Sequence, residues 1–254
     1  MMNLTPSGRT PQEYDLEDKS IVKQQANSNK SDQWRAAIAA FMSKVTSTIG
    51  CQSIPLSWQP VLNGNSNYIA CTDGKAIYLN PARFSKALNA SIKTGNSGLL
   101  APAISDLKGA CYHELAHILY TPRFDSSAIT MLRRQGSNVF YAFNMLEDQR
   151  IETRFTAKYR PSVPYFVAMT VNHLIPSAKA PDQVAMLHLL MHGRKFLPKS
   201  VRDAALNEHL TYAANLGVDG TIPAKLIDQY VRLNDLGGKD WQVAFKIVMD
   251  FYAY

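Results

Sequence analysis

The pentapeptide His113-Glu114-Leu115-Ala116-His117 constrains this chain more than any other feature. Two histidines at i and i+4 on a helix lie one turn apart and point the same way, so both imidazoles reach a single metal ion. Glu114 lies beside that face, where it can take a proton from a water on the metal. The surrounding sequence favours a helix with two distinct sides. At 100° per residue, Ile104, Leu107, Cys111, Leu115 and Ile118 gather on one arc. His113 and His117 fall on the other side, with the small residues Gly109, Ala110 and Ala116 between. One face then packs on a core while the other borders a cleft.

Glutamate usage points to a partner helix. The chain has six: Glu13, Glu17, Glu114, Glu147, Glu152 and Glu208. Between residues 18 and 207 only the motif glutamate and the Glu147/Glu152 pair occur. Catalytic zinc commonly takes three protein ligands and keeps one position for water. The stretch Asn144-Met145-Leu146-Glu147-Asp148-Gln149-Arg150-Ile151-Glu152 can supply the third. On a helix, Phe140, Asn144, Glu147 and Ile151 share one face, and Asp148 and Glu152 share the neighbouring one. Apolar neighbours make Glu147 the expected third ligand, since a metal offsets the cost of burying its charge. Asp148 and Glu152 are the alternatives, or they orient a ligand imidazole or pair with Arg150 and Arg154.

Punctuation along the chain sets the frame. Residues 1–30 read as a flexible tail rich in Ser, Asn, Gln and Lys. Ser31 or Asp32 caps a helix whose apolar positions are Trp34, Ala37, Ile38, Phe41, Met42 and Val45, and Gly50 closes it. Asn67–Cys71 and Ala76–Leu79 flank Thr72-Asp73-Gly74-Lys75, a strong hairpin signal. From residue 100 onward the pattern is helical. It gives helices over about 103–120, 127–134, 137–158, 163–174, 181–193, 199–215, 223–234 and 239–253, with Pro and Gly at the breaks. The expected division is a tail (1–30), a metal-binding domain (31–160) and a helical C-terminal subdomain (161–254).

Composition narrows the class. The 254 residues include 46% hydrophobic ones, enough for a sizeable core. No apolar run reaches the roughly 20 residues of a membrane span, and the start lacks an apolar signal core, so the expected location is cytoplasmic. Cys51, Cys71 and Cys111 form neither a disulfide framework nor a thiolate zinc pattern. The net charge of +7 is spread along the chain rather than massed in one basic block.

The hairpin ending in Ile77-Tyr78-Leu79-Asn80-Pro81, the His-Glu-x-x-His motif and the Asn144-x-x-Glu147-Asp148 helix together resemble a zincin whose third ligand is glutamate. The stretch from Asn144 to Glu152 is similar to the metallopeptidase-like domain that accompanies von Willebrand A domains in cobalt-chelatase-subunit-like proteins of bacteria and phages. The resemblance spans roughly residues 65–160. It implies a mostly helical α+β, zincin-like fold with a small sheet over the active-site helix, its edge open to an extended peptide. It implies one zinc ion on His113, His117 and Glu147, with Glu114 as general base for peptide hydrolysis. Two departures stand out. Ile151 occupies the place of the aspartate that thermolysin-type enzymes carry four residues after the glutamate ligand. There is also no Asp-x-Ser-x-Ser motif.

An oxyanion needs a further donor, for which His173 and Tyr141 are candidates, followed by Tyr165 and Arg123. His188 and His192 form a second i,i+4 pair, read as packing or as a helix C-terminus. Two other functions fit the sequence. One is a catalytically silent zincin-fold module in protein assembly, partnered by a separate ATPase or von Willebrand A domain. The other is a nucleic-acid-associated factor that uses the positive charge.

Overall fold

The computed structural model describes residues 33–62, 68–83, 97–123 and 126–254, and the expected tail of 1–30 lies outside them. Described elements run in the order α1 (Gln33–Thr48), β1 (Leu56–Trp58), β2 (Ala70–Thr72), β3 (Ile77–Leu79), α2 (Ser97–Tyr120), α3 (Ser127–Arg134) and α4 (Ser137–Lys158). A 3-10 turn at Arg160–Ser162 leads into α5 (Val163–Met169), a π-helical turn (Thr170–Leu174) and α6 (Ile175–Ser177). Then follow α7 (Pro181–His192), α8 (Lys199–Asn215), α9 (Thr221–Val231) and α10 (Trp241–Ala253). The protein is thus mostly helical with one small sheet. No helix among the described residues is long and apolar enough to cross a membrane.

Contacts divide the chain elsewhere than at residue 160. One unit comprises Met1–Cys111 with Tyr159–Tyr165, the other Tyr112–Lys158 with Phe166–Tyr254. Within the second unit α4 buries its apolar side against the C-terminal helices α9 and α10.

In the first unit, Ile38, Met42 and Val45 of α1 are buried, as their spacing requires. Gly50 ends the helix at φ 71°, where Cys51 N donates to Thr46 O and Gly50 N to Ser47 O. A left-handed residue at that place is cheapest as glycine. The expected hairpin forms between β2 and β3, with Ala70 opposite Leu79 and Thr72 opposite Ile77. Asp73 Oδ1 shapes its turn by accepting from the amides of Lys75 and Ala76. A third strand, β1, pairs parallel to β3 and gives the order β1-β3-β2. In α2, Leu107 and Cys111 are wholly buried, and Lys108 lies over the rings of Phe41 and Tyr165.

In the second unit the core gathers Ile129 and Leu132 of α3, Phe143 and Leu146 of α4, Leu189 of α7, Ile227 and Tyr230 of α9, and Ile247, Val248 and Phe251 of α10. The helix expected over 163–174 is interrupted. Ile175 N donates to Thr170 O, five residues back. Pro176 accounts for the change, because it lacks an N–H and its ring crowds the carbonyl four residues earlier.

Candidate metal centre

The second half of α2 and the middle of α4 bring their polar faces together inside the second unit. Tyr112 of α2 stacks near Phe155 of α4, with ring centroids 5.5 Å apart, and near Phe166. Leu115, on the apolar side of α2, is fully buried. The histidines then project from the opposite side of the helix, with their rings 4.8 Å apart and nearly perpendicular.

The acid that meets them is Asp148. Its Oδ1 stands 3.2 Å from His117 Nε2 and 3.7 Å from His113 Nε2. Among the described residues, His113, His117 and Asp148 are the only group whose potential ligand atoms could hold a metal ion, all lying within 4.8 Å of one another. Tetrahedral coordination with bonds of roughly 2 Å places ligand atoms about 3.3 Å apart, so this set fits one small divalent ion. Asp148 Oδ1 is also buried without a hydrogen bond, the state of an oxygen suited to a cation.

Glu147, the expected third ligand, is turned elsewhere. Its side chain is wholly buried, and both oxygens are taken. Arg150 Nε donates to Oε2 at 2.7 Å and Arg150 Nη2 to Oε1 at 2.7 Å. Thr121 Oγ1 donates to Oε1 at 2.7 Å, and Tyr230 Oη to Oε2 at 3.2 Å. A guanidinium three residues along the same helix neutralises the charge, so no metal is needed to bury it. The step from residue 147 to 148 is 100° of helix, enough to move the carboxylate from one face to the next.

Both imidazoles are held at Nδ1. His113 Nδ1 is 3.0 Å from Glu152 Oε1, and His117 Nδ1 is 3.0 Å from Thr121 Oγ1. Such contacts fix ring orientation and leave each Nε2 on the side of Asp148 Oδ1. Glu152, one turn after Asp148, thus contacts an imidazole directly. The expected pairing of Asp148 and Glu152 with Arg150 and Arg154 does not form. Glu152 pairs with Arg194, whose Nε is 2.8 Å from Oε2, while Arg154 reaches Asn234 and Leu233 O. Thr121, Arg194 and Tyr230 had no signal in the sequence, because they lie 26, 42 and 83 residues from the acids they touch.

The charges around the cluster act on one another. Burial works against a charged His113, but Asp148 and the hydrogen bond that His113 donates to Glu152 outweigh it and hold its pKa at about 9. For Asp148, burial is opposed and exceeded by His113 and His117, which keep the carboxyl below its usual range. Burial pushes the Glu114 carboxyl up, against the pull of His113 and His117. Glu114 itself is buried.

A cleft of about 230 Å³ opens beside His113 and Glu152, walled by Met169, Thr170, His173, Leu174 and Arg194. The π-helical turn places His173 there. Of the other expected participants, Tyr141 is 67% exposed, two turns before Asp148 on α4. Asn144 is exposed one turn before Asp148 and belongs to no ligand group. Arg123 is exposed, and Tyr165 belongs to the first unit. The second histidine pair forms no metal group: buried His192 stands 3.3 Å from Asp228, which Lys195 also pairs at 2.6 Å.

Set beside known proteins, the chain matches no family model, no curated protein and no solved structure.

Proposed function

We propose that this chain is a zinc-dependent hydrolase of peptide bonds, with His113, His117 and Asp148 as the residues that would hold the ion. The observation that carries this reading is the meeting of two Nε2 atoms and a buried, unbonded Asp148 oxygen, with both Nδ1 atoms already committed to acceptors or hydroxyl. A bound zinc ion supplies a water of lowered pKa and polarises a carbonyl. Three protein ligands rather than four are the pattern of a site that keeps a position for chemistry.

The remaining work falls to the chain's own groups. Glu114 sits next in sequence to His113 and is buried. Its carboxyl takes the proton of the attacking water and passes it to the leaving amine. The cleft beside His113 accommodates substrate, and His173 on its wall is a donor that could meet a developing oxyanion. Met169 and Leu174 give that wall an apolar part, which limits water around the reacting bond.

Glu114→Gln tests the assignment. The variant should bind zinc as the wild type does and lose peptide hydrolysis by at least about 100-fold, the scale of a lost general base. Equal turnover in the variant, or no zinc-dependent hydrolysis of a mixed peptide library by the wild type, would overturn it. In the second case a metal-holding assembly module is the surviving reading.

A further inference from the structure

We propose that Thr121 and Glu147 form a positioning relay that commits the His117 ring to present Nε2 to the ion, a role that rests on the metal reading above. The relay follows from counting protons. A threonine hydroxyl has one proton to give. Glu147 accepts two bonds from Arg150 and one from Tyr230, so it acts toward Thr121 Oγ1, 2.7 Å away, as an acceptor as well. The Thr121 proton therefore goes to Glu147 Oε1. What Thr121 Oγ1 offers His117 Nδ1, at 3.0 Å, is a lone pair. Nδ1 must then carry the hydrogen, and the lone pair of the neutral ring sits on Nε2, the atom 3.2 Å from Asp148 Oδ1.

The relay is anchored at both ends. Thr121 N donates to His117 O at 3.0 Å, so one residue grips both the backbone and the ring of His117. Arg150 Nη2 donates to Tyr120 O at 2.7 Å and Arg150 Nη1 to Leu233 O at 3.2 Å. These bonds fix Glu147 against the end of α2 and against the segment after α9. His113 is served differently, by a carboxylate in direct contact. The hydroxyl link to His117 spaces a full carboxylate charge one bond further from the ring. The acid that the sequence offered as a ligand thus acts one step removed, through Thr121.

The test uses the full chain, loaded with zinc alone, and the variants Thr121→Val and Thr121→Ser. Valine keeps the shape of threonine and removes the acceptor, while serine restores the hydroxyl. Zinc affinity is measured by competition with a chromophoric chelator, and ring nitrogens by ¹⁵N NMR of the zinc-loaded protein. The relay requires the wild type and Thr121→Ser to show His117 bound through Nε2 with a slowly exchanging Nδ1–H. It requires Thr121→Val to lose that signal and to bind zinc about 10–100-fold more weakly, the range for residues that orient a ligand. Wild-type zinc bound through His117 Nδ1 would overturn the relay without any variant. Equal affinity and an unchanged Nδ1–H in Thr121→Val would also overturn it. If the wild type takes up no zinc, the metal reading itself falls, and the relay with it.

Discussion

Replacing Glu147 and Asp148 one at a time by their amides separates two adjacent acids with opposite duties. Glu147 and Arg150 are both 0% exposed and joined by two bonds of 2.7 Å. Glu147→Gln keeps the shape but strands a buried guanidinium, which costs about 3–5 kcal/mol. That is a large share of the roughly 5–15 kcal/mol that stabilises a typical protein. With a urea slope of roughly 2–3 kcal/mol/M, the midpoint of the chelator-treated protein should fall by about 1–2.5 M. Asp148→Asn should act in the reverse sense. Its side chain is 23% exposed, so water screens part of its pairing with His113 and His117, and the loss of stability should be smaller than for Glu147→Gln. Zinc affinity should fall by more than the roughly 10–100-fold typical of losing a residue that only orients a ligand. Urea titration of the metal-free forms and chelator competition on the loaded forms read both numbers. A Glu147→Gln protein as stable as the wild type that no longer binds zinc, beside an Asp148→Asn protein that binds normally, would refute the reasoning.

Further outcomes follow from other parts of the structure. A Cβ at Gly193 would lie 1.8 Å from Gln149 Oε1 and 2.6 Å from Ile227 Cγ2, both on fully buried side chains. Gly193→Ala should therefore cost about 1–3 kcal/mol in the same urea titration, as overpacking does. In the metal-free protein His113 holds its proton up to about pH 9, so zinc uptake at pH 7 should release about one proton. Calorimetry in buffers of different ionisation enthalpy measures this. The same raised pKa gives a sign for stability. His113's ion pairing is fully present below its ordinary pKa of 6.5 and is lost as pH rises through about 9. Metal-free protein should thus weaken across that alkaline window, and thermal melts at stepped pH would reveal it.

The helical frame was readable because its punctuation is local. Gly50, Pro122, Gly136 and Gly217 end or separate helices where backbone chemistry requires, and Asp73-Gly74 turns the hairpin. The parallel strand β1 was not legible, since three residues, Leu56–Trp58, carry no period to detect. At the site, the His-Glu-x-x-His spacing gave both imidazoles, but burial alone could not tell a metal ligand from an ion-paired acid. Glu147 has apolar neighbours and Arg150 at i+3, and the arginine claimed it. That i+3 spacing was the one available clue. Asp148 and Glu152, assigned to the neighbouring face, turn out to share the side that meets the imidazoles. Arg194 and Tyr230 complete the surroundings of these acids from far along the chain, where only tertiary packing brings them into reach.

The most direct measurement is X-ray absorption at the zinc edge of the purified, zinc-loaded protein, together with its metal content. The proposed site calls for one zinc per chain, two imidazole nitrogens at about 2.0–2.1 Å and oxygen ligands at about 2.0–2.2 Å. It also calls for loss of one oxygen ligand in Asp148→Asn. Sulfur scattering, a single imidazole, or a spectrum unchanged by that substitution would contradict the site described for His113, His117 and Asp148.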